Sequence, residues 1–104
     1  MGTILATSRT PDVLREVGER LRSLRLQRNA RVEDLAADSG VSARTITRIE
    51  AGKSVGTENL VRVLRALGRL QALDAFLPPP PVSPLEVARL GGKVRQRASA
   101  RDDG

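Results

Sequence analysis

A chain of 104 residues has room for one small domain with extensions. Hydrophobic residues make up 39% and charged residues 29%, as in ordinary globular proteins, but the aromatic share is 1% and Phe76 is the only ring. The core must therefore be packed from Leu, Val, Ile and Ala, which argues against the aromatic stacking platforms of single-stranded nucleic-acid modules. Eighteen Lys and Arg against 12 Asp and Glu give a net charge of +6, which favours a polyanionic partner. With no Cys and no His, disulfides, thiol chemistry, the usual zinc ligand sets and imidazole acid–base catalysis are excluded. No catalytic residue, metal or cofactor is predicted, and no enzymatic activity is expected.

Residues 1–9 show no helical period and read as a flexible arm. Its apolar run Ile4-Leu5-Ala6 is far short of a signal sequence, and nothing in the chain approaches the roughly 20 apolar residues of a membrane span. A cytoplasmic protein without a membrane partner is expected. Residues 10–77 then read as one helical domain. Thr10 is a competent N-cap and Pro11 suits the first helical position. Val13, Leu14, Val17, Leu21 and Leu24 recur at three and four, so an amphipathic helix is predicted to about Arg28.

Two short helices follow. Leu35 and Ala36 lie on one face of the first, over about Val32 to Ser39, and Gly40 stands where a helix ends in a left-handed residue. Val41 is an apolar plug and Ser42 a good N-cap. In the next helix Thr45, Ile46 and Ile49 share one side, and Ala43, Arg44, Thr47 and Arg48 share the other. The inner side is aliphatic. The outer side carries a small methyl, two guanidinium groups and a hydroxyl, which suit base edges and phosphates in a major groove.

The stretch Val32 to Glu50 resembles the helix-turn-helix of the phage repressor and Cro (Xre) family. Leu35, Ala36, Gly40, Val41, Ile46 and Ile49 match its framework, and Glu50-Ala51-Gly52-Lys53 matches its E-x-G-K. The resemblance covers about Leu14 to Leu67. It implies an all-α, five-helix, lambda-repressor-like DNA-binding bundle. It also implies that Arg25 pairs with Glu50 and ties the first helix to the third. At Val32 the family usually carries a phosphate-binding Gln, and at Arg31 a Ser or Thr cap, so that phosphate contact is either lost here or passed to Arg31.

After the motif, Ala51 to Gly56 form a loop, and Thr57 reads as the cap of a fourth helix that buries Leu60, Val63, Leu64 and Leu67 and ends at Gly68. Free amides at a helix start attract phosphate, so Lys53, Ser54 and Thr57 join Ser42 and Arg31 as predicted backbone contacts. Thr57 reads equally as a plain cap. A fifth short helix over Arg69 to Leu77 carries Leu70, Leu73, Phe76 and Leu77, which either complete the core or form a dimer interface, and a share of each is expected. Pro78 to Pro81 make a stiff polyproline spacer. Ser83-Pro84-Leu85-Glu86 then reads as a capping box opening a short C-terminal helix to Leu90. Lys93 to Gly104 form a basic, disordered tail.

The function expected from these features is sequence-specific binding of double-stranded DNA by a homodimer, with one Ser42 to Glu50 helix in each of two major grooves. Ala43, Arg44, Thr47 and Arg48 would contact bases, and repression by occupying a promoter is the simplest mechanism. The alternative draws on a resemblance to HipB-like antitoxins. There the segment after the proline spacer docks a toxin protein, a HipA-like kinase, and DNA binding serves autoregulation. A purely protein-binding helical module is a third reading.

Overall fold

The computed structural model describes residues 2–81 together with Leu85 and Arg89. Five helices follow one another: α1 (Thr10–Gln27), α2 (Val32–Ser39), α3 (Ala43–Glu50), α4 (Thr57–Ala66) and α5 (Ala72–Phe76). Among the described residues there is no strand, and no helix is long and apolar enough to cross a membrane. The helix predicted at 83–90 and the basic tail at 93–104 lie outside the described residues. Pro78 to Pro81 carry no helix and are exposed.

The cap of α1 lies one residue before the predicted one, so the helix starts at Thr10. Arg9, in an extended conformation, takes the cap position without a side-chain bond, and its carbonyl accepts the amides of Asp12 and Val13. Thr10 is thus the first helical residue and Pro11 the second, where a missing N–H still costs nothing. The helix ends at Gln27, and Asn29 carries the chain round at φ 55, a left-handed value that Asn tolerates better than most residues. The arm before α1 touches the helix at its start. Gly2 donates its N–H to the Glu16 carboxylate, and Arg20 donates to the Gly2 carbonyl at 3.0 Å.

The α2 and α3 helices have the predicted bounds or lie within a residue of them, and their junction has the predicted chemistry. Gly40 ends α2 at φ 74 with its amide on the Ala36 carbonyl. A residue with a Cβ would be strained at that angle. The Val41 amide donates to the Ser39 hydroxyl at 3.1 Å, and Ser42 caps α3 by accepting from the Thr45 amide at 3.1 Å. The α4 helix departs from the predicted start in the same sense as α1. Gly56 holds the cap position and Thr57 is the first helical residue, with no side-chain cap bond.

The core lies where α1 to α4 meet. Leu21 of α1, Leu35 of α2, Val41 of the turn, Ile46 and Ile49 of α3, Val63 of α4 and Leu67 at its end are all buried. Val17, Leu24, Leu60 and Leu64 pack against this cluster. The α2 helix packs on α3 and α4, and α1 packs on α3. Leu14, predicted on the core stripe of α1, is 37% exposed and is not among the residues packed on the cluster. The positions buried instead are Glu16, Gly18 and Arg25. The α5 helix is shorter than predicted and buries no residue. Leu70 and Leu73 are half-buried, whereas Phe76 and Leu77 are 72% and 71% exposed and do not complete the core.

Candidate nucleic-acid interface

The orientation of α3 is set by three contacts with α1 and the loop after it. Ile46 and Ile49 anchor its inner side in the core. Gly18 lets α1 approach so closely that a Cβ there would stand 2.4 Å from the Ile49 carbonyl oxygen and 2.8 Å from that of Glu50. The third contact is the Arg25–Glu50 pair. Arg25 Nε and Nη2 donate to the two Glu50 carboxylate oxygens at 2.7 and 2.9 Å, and Nη1 donates to the Ala30 carbonyl at 2.8 Å. Both side chains are over nine-tenths buried. The hydrogen bond to Glu50 raises the Arg25 pKa above its ordinary value, so the guanidinium stays charged. One arginine thus joins the end of α1, the entry to α2 and the end of α3.

With its inner side locked, α3 presents Arg44, Thr47 and Arg48 to solvent, and Ala43 is half-buried beside them. Among the described residues neither Arg44 nor Arg48 takes part in an ion pair, although five other arginines do. The first turn of α3 has no acidic residue, so nothing there opposes an approaching anion. Two guanidinium forks four residues apart on one helix face are donors for guanine edges and phosphates.

The predicted phosphate contacts differ in their freedom: Ser42 and Lys53–Ser54 adjoin the two ends of α3, whereas Arg31 and Thr57 stand at the starts of α2 and α4. Lys53 and Ser54 are exposed in the loop after α3, and the Lys53 amide closes that helix on the Arg48 carbonyl at 2.9 Å. Gly52 before them is at φ 80, and its Cα lies so near α1 that a Cβ would stand 2.8 Å from the Arg15 Cα. Thr57 is exposed at the start of α4, beside amides that have no capping side chain. The Glu58 carboxylate in the same turn is held by Arg62 at 2.6 Å.

Ser42 is partly committed. Its Oγ accepts the Thr45 amide and lies 2.9 Å from Thr45 Oγ1. The two hydroxyls share one internal bond, leaving one proton for an outside acceptor. Periodicity assigns Thr45 to the inner side, yet it is half-exposed and coupled to the cap. The spacing of a hydroxyl three residues after an N-cap Ser was the available signal. Arg31 stands at the N-cap of α2, exposed, with its amide on the Asp34 carboxylate at 2.9 Å and its guanidinium 3.6 Å away. That amide, then the arginine charge, hold the Asp34 carboxyl below its ordinary pKa. Arg31 is therefore engaged locally.

A family model described as a helix-turn-helix domain matches residues 16–76, more than half of the chain. The chain belongs to the helix-turn-helix domain family. No curated protein matches it. Within this helix-turn-helix domain α2 is the first helix of the motif and α3 the second, joined by Gly40-Val41-Ser42. The matched span begins at Glu16 and ends at Phe76, so the buried carboxylate of α1 and the exposed apolar face of α5 mark its limits. Membership points to a DNA-binding regulator.

Proposed function

We propose that the protein is a transcription regulator, a repressor of the Xre type, that binds double-stranded DNA sequence-specifically as a homodimer and has no enzymatic activity. The observation that carries this reading is the outer face of α3, where Arg44, Thr47 and Arg48 are exposed on a helix whose opposite face is locked into the core. Arg44 and Arg48 read base edges, with Thr47 and Ala43 adding a hydroxyl and a methyl contact. Lys53, Ser54, Thr57 and the Ser42–Thr45 hydroxyl pair hold phosphates and set the register without reading sequence, and Arg31 joins them only by leaving Asp34. Exposed Phe76 and Leu77, beside half-buried Leu70 and Leu73, support self-association, since apolar residues so placed gain by being covered. The antitoxin alternative shares the same DNA-binding face and puts its toxin-docking segment at 83–90, outside the described residues.

The deciding experiment is selection of bound sequences from random duplex DNA. The expected product is a palindrome with half-site centres about 34 Å apart, one turn of the double helix. Recovery of random sequence after selection would sink the specific-binding reading.

A further inference from the structure

On the side of the molecule away from α3, a shallow groove runs between α1 and the turn that follows α4. Its first hollow, about 290 Å³, is lined by Arg20, Ser23, Leu24, Gln27 and Arg69. A second, about 250 Å³, is lined by Arg65, Gly68, Leu70 and Gln71. The two flank the same stretch of chain, Gly68 and Leu70 lining one and Arg69 the other. At 3.6 residues per turn, the four α1 residues lie roughly 140 to 240 degrees round the helix from Gly18, which faces α3. The groove therefore opens on the opposite face of α1 from the candidate DNA surface.

We propose that this groove docks an acidic amphipathic peptide segment of a protein partner, seating its carboxylates on Arg65 and Arg69 and its aliphatic side chains over Leu24 and Leu70. The chemistry of the lining is one-sided. Three guanidinium groups rim it, and among the described residues no carboxylate lines either hollow, although Glu16 pairs with Arg20 at one end. Arg65 and Arg69 enter no ion pair among the described residues, so their forks are available for bidentate carboxylate contacts. Arg20 is turned toward the arm by Glu16, at 3.0 Å, and by the Gly2 carbonyl, and so holds a fixed position at one end. The floor is different in kind. Leu24 and Leu70 are half-buried, and the Gln27 and Ser23 side chains beside them carry donors and acceptors that suit peptide groups. Phosphate gains nothing from an aliphatic floor, and hollows of this size admit single side chains rather than a duplex. A segment that alternates carboxylates with leucine-like residues satisfies both the rim and the floor. The groove shares no residue with the candidate DNA surface on α3 and the loop after it, but it shares Leu70 with the proposed self-association face.

The test uses the full chain, isotope-labelled, titrated with a blocked peptide of repeated Glu-Leu-Leu-Glu units and, separately, with its Lys-for-Glu counterpart and a short random duplex. The expected result is saturable amide shifts at Ser23, Leu24, Gln27 and residues 68–71 with the acidic peptide, and none there with the basic one. Arg69→Glu, and independently Arg65→Gln, should weaken that binding, by about tenfold for the charge reversal. The two variants keep the fold measurable, since both side chains are exposed. Acidic-peptide shifts centred on Arg44 and Arg48, unchanged affinity in Arg69→Glu, or equal binding of the basic peptide would each overturn the proposal. So would a duplex that shifts the groove residues more strongly than the peptide does, which would make the groove a nucleic-acid surface.

Discussion

Gly18 of α1 lies against the last turn of α3 with its Cα so close to Ile49 that no side chain fits between them. A Cβ at Gly18 would meet the Ile49 carbonyl oxygen at 2.4 Å. Two effects oppose each other in Gly18→Ala. Alanine favours the helix over glycine by about 1 kcal/mol. Overpacking against a backbone carbonyl costs typically about 1 to 3 kcal/mol and here forces α1 and α3 apart, which also stretches the Arg25–Glu50 pair. The clash wins, and Gly18→Ala is expected to lower stability by about 1 to 2 kcal/mol in urea unfolding. A neutral or stabilised variant, as helix propensity alone requires, would contradict the close approach.

The Arg25–Glu50 pair holds the same junction through charge. Removing one member leaves the other buried without its partner, a loss of about 3 kcal/mol or more. Glu50→Ala is therefore expected to unfold at markedly lower urea, while the double variant Arg25→Met with Glu50→Leu recovers much of that loss by removing both charges together. A double-mutant cycle measures the coupling. Coupling no larger than that of an exposed pair would show that the two side chains do not meet in solution. Because the pair is buried, its contribution should change little with added salt, unlike that of Arg62–Glu58 at the surface.

A third expectation concerns pH. The Gly2 amide first, and then Arg20, hold the Glu16 carboxyl below its ordinary pKa. A folded-state pKa below the unfolded one means that the stability Glu16 contributes is fully present above the ordinary carboxylate range. It is lost as pH falls through the lowered value. Asp34, lowered by the Arg31 amide, acts in the same direction. Glu16→Gln is thus expected to flatten part of the acid limb of the stability curve and to release residues 2–8 from α1 at neutral pH. Unfolding midpoints across the acid range and amide relaxation of the arm check both parts. An arm equally ordered in wild type and variant would show that Glu16 does not hold it.

The motif was legible because its pieces are local. Gly40 at a left-handed turn, Ser42 as a cap, and Ile46 and Ile49 three apart are short-range signals, and the exposure of Arg44, Thr47 and Arg48 follows from the same helical period. What periodicity could not supply was the close approach at Gly18, since a residue without a side chain leaves no mark on an apolar stripe. An isolated glycine inside a helical pattern is itself the signal of such a contact. Glu16 escaped for a related reason. It is buried by a polar bond to Gly2, 14 residues away, rather than by apolar spacing. The bond between Arg25 and Glu50 spans 25 positions, and only the resemblance to a known family pointed to it. Caps predicted at Thr10 and Thr57 fell one residue late because Arg9 and Gly56 adopt the extended cap conformation without contributing a side chain.

The face of α5 yields a fourth prediction. Phe76 and Leu77 are exposed, and no core residue depends on them. If this face joins two copies, Phe76→Glu should shift the sedimentation behaviour toward monomer without lowering the stability of the helix-turn-helix domain. DNA affinity should fall steeply as well, because a dimer holds its second half-site at high effective concentration. A variant that stays dimeric would move the interface elsewhere. If the wild-type protein is monomeric with and without DNA, the homodimer itself is refuted.

The candidate DNA surface makes its sharpest prediction through the contrast between two of its cations. Arg44 lies on the outer face of α3, and Lys53 lies in the loop after it; both are exposed. A guanidinium that forks onto a base edge discriminates among base pairs, whereas an ammonium on a phosphate does not. Arg44→Ala is therefore expected to weaken the selected operator by about 1 to 3 kcal/mol and to relax preference at one position, leaving random duplex nearly unaffected. Lys53→Ala should weaken operator and random duplex alike and lower the salt slope of binding by about one. Titration of both duplexes at several salt concentrations separates the two roles. Equal losses on both duplexes for Arg44→Ala would move that residue to the phosphate backbone. Specificity would then rest with Arg48, the remaining guanidinium on that face, and Arg48→Ala should reproduce the selective loss.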